Sequence, residues 1–167
     1  LGGFERETIE LLDEPTAAVF DAVFRGKITR DEETILVINV GSGTTDLALV
    51  DVRRTTPMCE CRPHCESFAV GAIELGGTDM DIAIVDWVIG QLSREEGVNQ
   101  AALESIDKGA LRVEAEEAKI ALSEGRTDTA VIKIRKLARY VRLTKGDLEN
   151  VVKPIVEKCM QVILNVL

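Results

Sequence analysis

The chain has 167 residues, of which 46% are apolar and 29% charged, and its formal net charge is −9. One domain of this length, or two small subdomains sharing a border, buries roughly 70% of its unfolded surface and needs no disulfide or metal for stability. The negative charge argues against nucleic-acid and anionic-membrane partners, which require basic surfaces. No apolar run approaches the roughly 20 residues of a membrane span and no signal-peptide pattern opens the chain, so we expect a cytoplasmic protein.

The first part of the chain predicts a helix followed by a strand hairpin. Residues 5–24 have helical apolar spacing, with Pro15 restricted to starting or kinking the helix. A polar connector over 25–34 leads to two predicted strands, one starting at Ile35 and one over 46–52, joined by the turn GSGTTD. The irregular loop RRTTPMCECRPHCES precedes a third predicted strand, over 68–74.

The second part predicts helices around another strand pair. Thr78 would cap a helix that runs to about residue 94, and a second helix spans 109–123. TAVIKIR and ARYVRLT predict two strands, after which Thr144 and Asp147 form a capping box for a last helix that Pro154 kinks. The order predicts an α/β fold with an inserted α+β piece at about 77–142. Because the chain begins without Met and ends in an apolar periodic segment, we expect it to be a piece of a longer protein.

The turn GSGTTD is the first candidate site. Gly41 and Gly43 let a ligand approach the backbone closely, and exposed N–H groups in such a turn form a nest for phosphate. Thr44 and Thr45 add hydroxyl donors, and Asp46 would organise a hydrated Mg²⁺ beside the phosphates. The alternative is a hairpin with a flexible tip.

Two further segments carry weaker signals. Gly76 and Gly77 stand at a strand-to-helix junction, where the helix N-terminus favours an anion; an ordinary loop and cap is the alternative. On the helix EAEEAKIALSEG, Glu116, Lys119 and Ser123 lie at i, i+3 and i+7 and so line one polar face. That face would hydrogen-bond a ribose, or it is simply solvated.

Four cysteines and the only histidine complete the inventory. Cys59, Cys61, His64 and Cys65 would supply a Cys₃His set for Zn²⁺, although adjacent His64 and Cys65 would strain to share one ion. Redox-sensitive thiols and an ordinary reduced loop remain alternatives. Cys159 falls on the apolar face of the last helix and is predicted to be a core residue.

Four motifs follow one another along the chain: EPTAAV, the GSGTTD hairpin, ELGGTDMD and EEAKIALS. In this order they resemble the ATPase domain of the heat-shock protein 70 (DnaK-like) chaperones over nearly the whole chain. The resemblance implies an actin-like ATPase (ribonuclease H-like) fold whose two lobes close on ATP or ADP with Mg²⁺. It implies that this chain is most of the second lobe, with a linking helix at 1–24, a core subdomain at 25–75 and 143–167, and a cap subdomain at 76–142.

The resemblance also implies roles for individual residues. The catalytic positions are Glu14, on the helix that crosses between the lobes, Asn39 and Asp46, of which Asp46 also serves the metal. The other matched residues contact the nucleotide: Gly41, Ser42, Gly43 and Thr44 in the second phosphate loop, with Thr45 beside them; Gly76 and Gly77 near the phosphates; and Glu116, Lys119 and Ser123 at the nucleoside.

Three residues depart from the family pattern. Asn39 replaces an aspartate that would hold hydrated Mg²⁺ and the attacking water, and a neutral amide cannot act as a base; the alternative is a harmless strand-end Asn. Ser42 replaces a third glycine, and Ile120 replaces an arginine that packs on the adenine. The family's first phosphate loop, catalytic lysine and last adenosine motif would lie outside this chain, so we expect no ATP hydrolysis by the chain alone.

The function implied by the resemblance is ATP-driven protein folding in the stress response. Nucleotide-exchange factors would dock on the cap subdomain and J-domain co-chaperones would be further partners. One alternative is a nucleotide-binding reactivating factor or another actin-like ATPase. The other is a non-catalytic interaction scaffold with a vestigial cleft.

Overall fold

The computed structural model describes residues 12–53 and 64–166. The described residues form a mixed α/β structure, as predicted, and contain two antiparallel sheets. In chain order the elements are α1 (Glu14–Phe24), β1 (Glu32–Val40), β2 (Thr45–Arg53), β3 (His64–Ile73), α2 (Gly77–Leu92), α3 (Gln100–Glu104), α4 (Lys108–Ser123), β4 (Thr129–Ile134), β5 (Arg139–Thr144) and α5 (Lys145–Val166).

The chain divides into two compact units. The first holds the described residues up to Val40, then Thr45–Ile73 and the end of α5 from Val162. The second holds Gly41–Thr44 and Glu74–Gln161. The predicted linker, core and cap subdomains stay a prediction.

The first unit is a three-stranded sheet in the order β1-β2-β3, with α1 packed on one face. The central strand β2 is apolar on both faces, and its residues Leu47, Ala48, Val50 and Val52 are buried. Val19 of α1 packs with three of them in a small core. On β3, a Cβ at position 71 would lie 2.7 Å from Val166, so Gly71 lets the end of α5 approach this strand closely.

The motif EPTAAV starts α1 and fastens it to β3. Asp13 caps the helix, accepting the N–H of Thr16 at 2.9 Å and its hydroxyl at 2.8 Å. The same hydroxyl lies 2.9 Å from the Ser67 hydroxyl on β3. Pro15 stands in the first turn, where its missing N–H costs nothing, as predicted. The predicted start at residue 5 lies outside the described residues, and positions 12 and 13 are not helical.

The second unit packs α2 and α4 against the β4–β5 hairpin. Strand β4 alternates between exposed and buried residues, and its inward side chains join the largest core. The predicted apolar stripe of α4 is confirmed, because all four of its members are buried: Leu111, Ala115, Ala118 and Leu122. Cys159 is buried too, as predicted for a core residue.

Several predicted boundaries move. Strand β1 begins at Glu32 rather than Ile35, because its first three residues pair with the end of β2, and β3 begins at His64 rather than at 68. The cap of α2 is Gly76 and not Thr78, since the Asp79 carboxylate accepts the Gly76 N–H at 2.8 Å. The short helix α3 was not predicted.

The last helix begins as the sequence predicts. Thr144 and Asp147 form a reciprocal capping box: the Thr144 N–H donates to the Asp147 carboxylate and the Asp147 N–H to the Thr144 hydroxyl, each at 3.1 Å. Pro154 lies inside α5, and the kink there stays a prediction. None of the helices in the described residues combines the length and apolar character that crossing a membrane requires.

The Asp13 cap predicts a pH-dependent stability. Donation from the Thr16 N–H and hydroxyl favours the ionised carboxylate and lowers the pKa of Asp13 from its ordinary 3.8. A lowered folded-state pKa stabilises the fold above the unfolded value, and this stabilisation disappears as the pH falls through the folded-state value. We expect Asp13→Ala to lower the free energy of unfolding by about 1 kcal/mol at neutral pH, measured by urea denaturation.

Asp13→Asn is the matched control. An amide caps a helix about as well as a carboxylate, so this variant should keep most of the stability while losing the acid-range dependence. Equal pH profiles for the parent and Asp13→Asn would refute the assignment.

Candidate functional site

The turn Gly41–Thr44 presents open backbone donors. It is closed by one backbone hydrogen bond, from the Gly41 N–H to the Thr44 carbonyl at 2.8 Å. Among the described residues, the amides of Ser42 and Gly43 have no acceptor, and no atom lies within 4 Å of a Cβ placed on Gly43. Two free amides beside empty space have the geometry of an anion nest.

The two threonines at the end of this turn, Thr44 and Thr45, differ in burial. Thr44 is exposed, whereas Thr45 is completely buried at the start of β2. The Thr44 residue is therefore the more accessible of the two, and contact of either hydroxyl with phosphate stays a prediction.

The second glycine turn packs directly on the first. The Gly77 N–H donates to the Gly41 carbonyl at 3.0 Å, and the Thr78 N–H donates to the Ser42 carbonyl at 2.7 Å. A Cβ on residue 76 would lie 2.6 Å from the Gly41 oxygen and 2.7 Å from the Ser42 oxygen, closer than van der Waals contact allows. Gly76 is thus required for the approach of the two turns. The first amides of α2 are used to hold the loop, so the predicted contact of Gly76 and Gly77 with phosphate stays a prediction.

Lys119 joins α4 to this arrangement. Its Nζ donates to the Gly77 carbonyl at 3.0 Å and lies 2.7 Å from Oδ1 of Asp81. That oxygen makes no aligned hydrogen bond, so the ammonium compensates it as an ion pair. Both side chains are largely enclosed, at 18% and 7% exposed. Sequence reasoning missed Asp81; its position one helical turn after Gly77 was the available signal.

An apolar cavity of about 290 Å³ opens beside Lys119. Ile120 and Ser123 of α4 line it, and Ile120 adds apolar surface to its wall. Glu116 lies on the same helix, α4, but it is exposed and does not line this cavity, so its contact with a nucleoside stays a prediction. The opposite walls come from two other helices: Met80 of α2, and Leu148 and Val152 of α5.

In the first unit, the predicted catalytic positions meet at one end of the sheet. The Asn39 amide donates to Oε1 of Glu14 at 3.1 Å. Asp46 is the direct partner of Asn39 in the β1–β2 pairing, so their side chains lie on the same face. Glu14 and Asp46 offer two carboxylates, a number that suits hydrated Mg²⁺ completed by phosphate and water.

The zinc alternative for the cysteine loop finds no support in its described residues, His64 and Cys65. His64 and Cys65 are consecutive residues of β3, and successive strand side chains point to opposite faces, so these two cannot share one ion. Cys65 packs against the core, and its burial raises the pKa of the thiol, disfavouring the thiolate that binds metal. Cys59 and Cys61 lie outside the described residues, within which no group of three metal-binding side chains occurs.

Gly76→Ala tests the contact between the two turns. The added methyl meets backbone atoms, which cannot rotate away, so we expect the free energy of unfolding to fall by about 1–3 kcal/mol in urea denaturation. Gly90→Ala is the control, since that site in α2 is open and alanine is the better helix former there. Equal stability of Gly76→Ala and the parent would contradict the packing.

Lys119→Met tests the buried ion pair. It leaves the Asp81 carboxylate enclosed without a cation, and we expect a loss of about 3 kcal/mol in the free energy of unfolding. Lys108→Met removes an exposed lysine from the same helix and should change stability by less than about 0.5 kcal/mol. Similar losses in both variants would show that the pair contributes nothing specific.

Comparison with known proteins gives one family over nearly the whole length. The family described as Hsp70 protein matches residues 3–167. The chain is 32% identical over 168 residues to the chaperone protein DnaK of Thermoplasma volcanium, covering 95% of this chain and 25% of that protein. It is 31% identical to the DnaK of Elusimicrobium minutum, covering 92% of this chain and 24% of the relative.

The DnaK of Thermus thermophilus is 30% identical, with 91% of this chain and 24% of that protein covered. The chain thus spans about a quarter of the length of these relatives. The family match covers almost every residue and includes the four motifs identified in the sequence. The chain therefore belongs to the Hsp70 family.

Proposed function

We propose that the chain is a nucleotide-binding lobe of an Hsp70-like chaperone ATPase. The observation that supports this most directly is the pair of packed glycine turns, which leaves the Ser42 and Gly43 amides open in a loop fixed from behind by α2. Family membership supports the same ligand, ATP or ADP with Mg²⁺. The two carboxylates at one end of the sheet, those of Glu14 and Asp46, are consistent with this ligand.

Each part of the nucleotide has its own residues in this proposal. The Ser42 and Gly43 amides and the Thr44 hydroxyl bind a phosphate group. The base enters the 290 Å³ cavity against Ile120, and the Ser123 hydroxyl contacts the ribose. The Lys119 ammonium donates one hydrogen bond to the Gly77 carbonyl and would offer a further donor to the nucleotide.

By resemblance to the family, the carboxylates of Asp46 and Glu14, both in the first unit, would hold a hydrated Mg²⁺. Asn39 orients Glu14 through its amide instead of adding a third carboxylate. The chaperone activity, the stress response, docking of exchange factors and J-domain proteins, and a cytoplasmic location belong to the same proposal and depend on the longer protein.

Titration of the ¹⁵N-labelled chain with ADP, with and without Mg²⁺, tests the site. We expect chemical-shift changes at Ser42, Gly43 and Ser123 that grow with nucleotide concentration. Gly43→Ala places a methyl group in the open space without touching the protein, so it should keep the stability of the parent and weaken nucleotide binding roughly tenfold. Gly90→Ala should leave binding unchanged. Undiminished binding by Gly43→Ala, or a spectrum that does not respond, would reject the phosphate site.

A non-hydrolytic role is the second candidate, and the Asn39–Glu14 hydrogen bond favours it. An aspartate at position 39 would place two carboxylates 3.1 Å apart and require a cation or proton between them, whereas the amide satisfies Glu14 without either. On this alternative the same titration shows equal ADP affinity with and without Mg²⁺. A clear increase in affinity with Mg²⁺ favours the ATPase.

A further inference from the structure

We propose that Asp81 is a positioning residue for nucleotide binding, because its carboxylate holds the Lys119 ammonium group between the Gly41–Thr44 turn and the 290 Å³ cavity. This role rests on the proposed function, since Asp81 makes no contact with the nucleotide itself and acts only through Lys119. All the residues involved belong to the second unit.

The first turn of α2 brings Asp81 and Lys119 together. Asp81 stands one helical turn after Gly77, the first residue of the helix. Side chains of an α-helix lean toward its N-terminus, which directs the Asp81 carboxylate back toward Gly77. A Cβ placed on Gly77 would lie 3.4 Å from Nζ of Lys119. The ammonium group of α4 therefore lies directly against the start of α2.

The ammonium group is stable at this place because a carboxylate accompanies it. Nζ of Lys119 lies 2.7 Å from Oδ1 of Asp81 and donates to the Gly77 carbonyl at 3.0 Å. Both side chains are largely withdrawn from water, and a charge in such a place is costly unless an opposite charge compensates it. Without the Asp81 carboxylate, the Lys119 side chain would turn away from α2 toward solvent.

Lys119 lies where such a movement changes the proposed nucleotide site. It lines the cavity assigned to the base, together with Ser123. Its acceptor, Gly77, also donates its N–H to the Gly41 carbonyl at 3.0 Å and so supports the phosphate turn. The cavity is open space beside Lys119, so an ammonium group released from Asp81 would extend into it and compete with the base and the ribose.

A purely structural role for Asp81, joining α2 to α4, makes a different prediction. Loss of a structural contact would weaken every part of the site together, in proportion to the loss of stability. Loss of a positioning contact would weaken binding of the nucleoside part and leave the phosphate part, which depends on the Gly41–Thr44 turn, nearly unchanged.

Chemical labelling tests the placement of Lys119 without any nucleotide. We expect acetic anhydride to modify Lys119 of the parent at least about tenfold more slowly than the exposed Lys108 of the same helix, as read by mass spectrometry. Asp81→Asn should bring the two rates close together. Asp86→Asn, at an exposed position of α2, should leave Lys119 protected. Equal rates in the parent, or continued protection in Asp81→Asn, would overturn the role of Asp81.

Titration with ADP and with inorganic pyrophosphate separates the two parts of the site. We expect Asp81→Asn to weaken ADP binding roughly tenfold, whereas pyrophosphate binding should lose about twofold at most. Asp86→Asn should bind both ligands as the parent does. Equal weakening of both ligands by Asp81→Asn would contradict a positioning role and leave only a structural one.

The double variant Asp81→Asn with Lys119→Met separates positioning from stability. No unpaired charge remains buried, so its thermal stability should exceed that of Lys119→Met. Its ADP affinity should stay within about twofold of that of Lys119→Met, because Asp81 acts only through Lys119. A further tenfold loss of ADP affinity in the double variant would overturn that dependence.

The outcomes distinguish this role from the proposed function. A protected Lys119 in a parent chain that does not bind ADP would reject the proposed function, and with it any role of Asp81 at a nucleotide. ADP binding by the parent that Asp81→Asn leaves unchanged would reject the role of Asp81 alone.

Discussion

The contact between two glycine turns is the constraint on which the candidate site depends. Gly76 allows the backbone at the start of α2 to reach the carbonyls of Gly41 and Ser42, and no residue with a Cβ fits there. The loop's carbonyls therefore face α2, while the amides of Ser42 and Gly43 remain open. The second glycine pair thus supports the Gly41–Thr44 turn through its carbonyls, a role different from the direct anion contact that a helix N-terminus suggests.

Lys119 extends this constraint to a third element. The Lys119 side chain is 18% exposed, and its ammonium group donates to a carbonyl and forms an ion pair with a carboxylate, so it is more restricted than that of a surface lysine. The same helix α4 carries Ile120 and Ser123 into the apolar cavity. Position along one helix thereby connects the glycine turn to the pocket proposed for the base, and a change in the ion pair should affect both.

The first unit brings two carboxylates and one amide together at one end of its sheet. Glu14, Asn39 and Asp46 share one end of the sheet, and the Asn39 amide donates a hydrogen bond to Glu14 where an aspartate would add a third negative charge. Asp13, the residue before the EPTAAV motif, caps α1, and Thr16 within the motif connects the helix to Ser67 on β3. One short motif thus both connects α1 to β3 through Thr16 and places the Glu14 carboxylate next to Asn39.

The sequence by itself determined the class of fold, the buried stripe of α4, the Thr144–Asp147 cap and the glycine loop, because periodicity, capping and turn chemistry act over a few residues. Motif order also determined the family. Only the tertiary structure decided that Thr45 is buried, that Glu116 lies outside the cavity and that His64 and Cys65 point apart. It alone paired Asp81 with Lys119 and placed Gly76 against Gly41, since contacts between residues far apart in sequence depend on how whole elements pack and leave no local pattern.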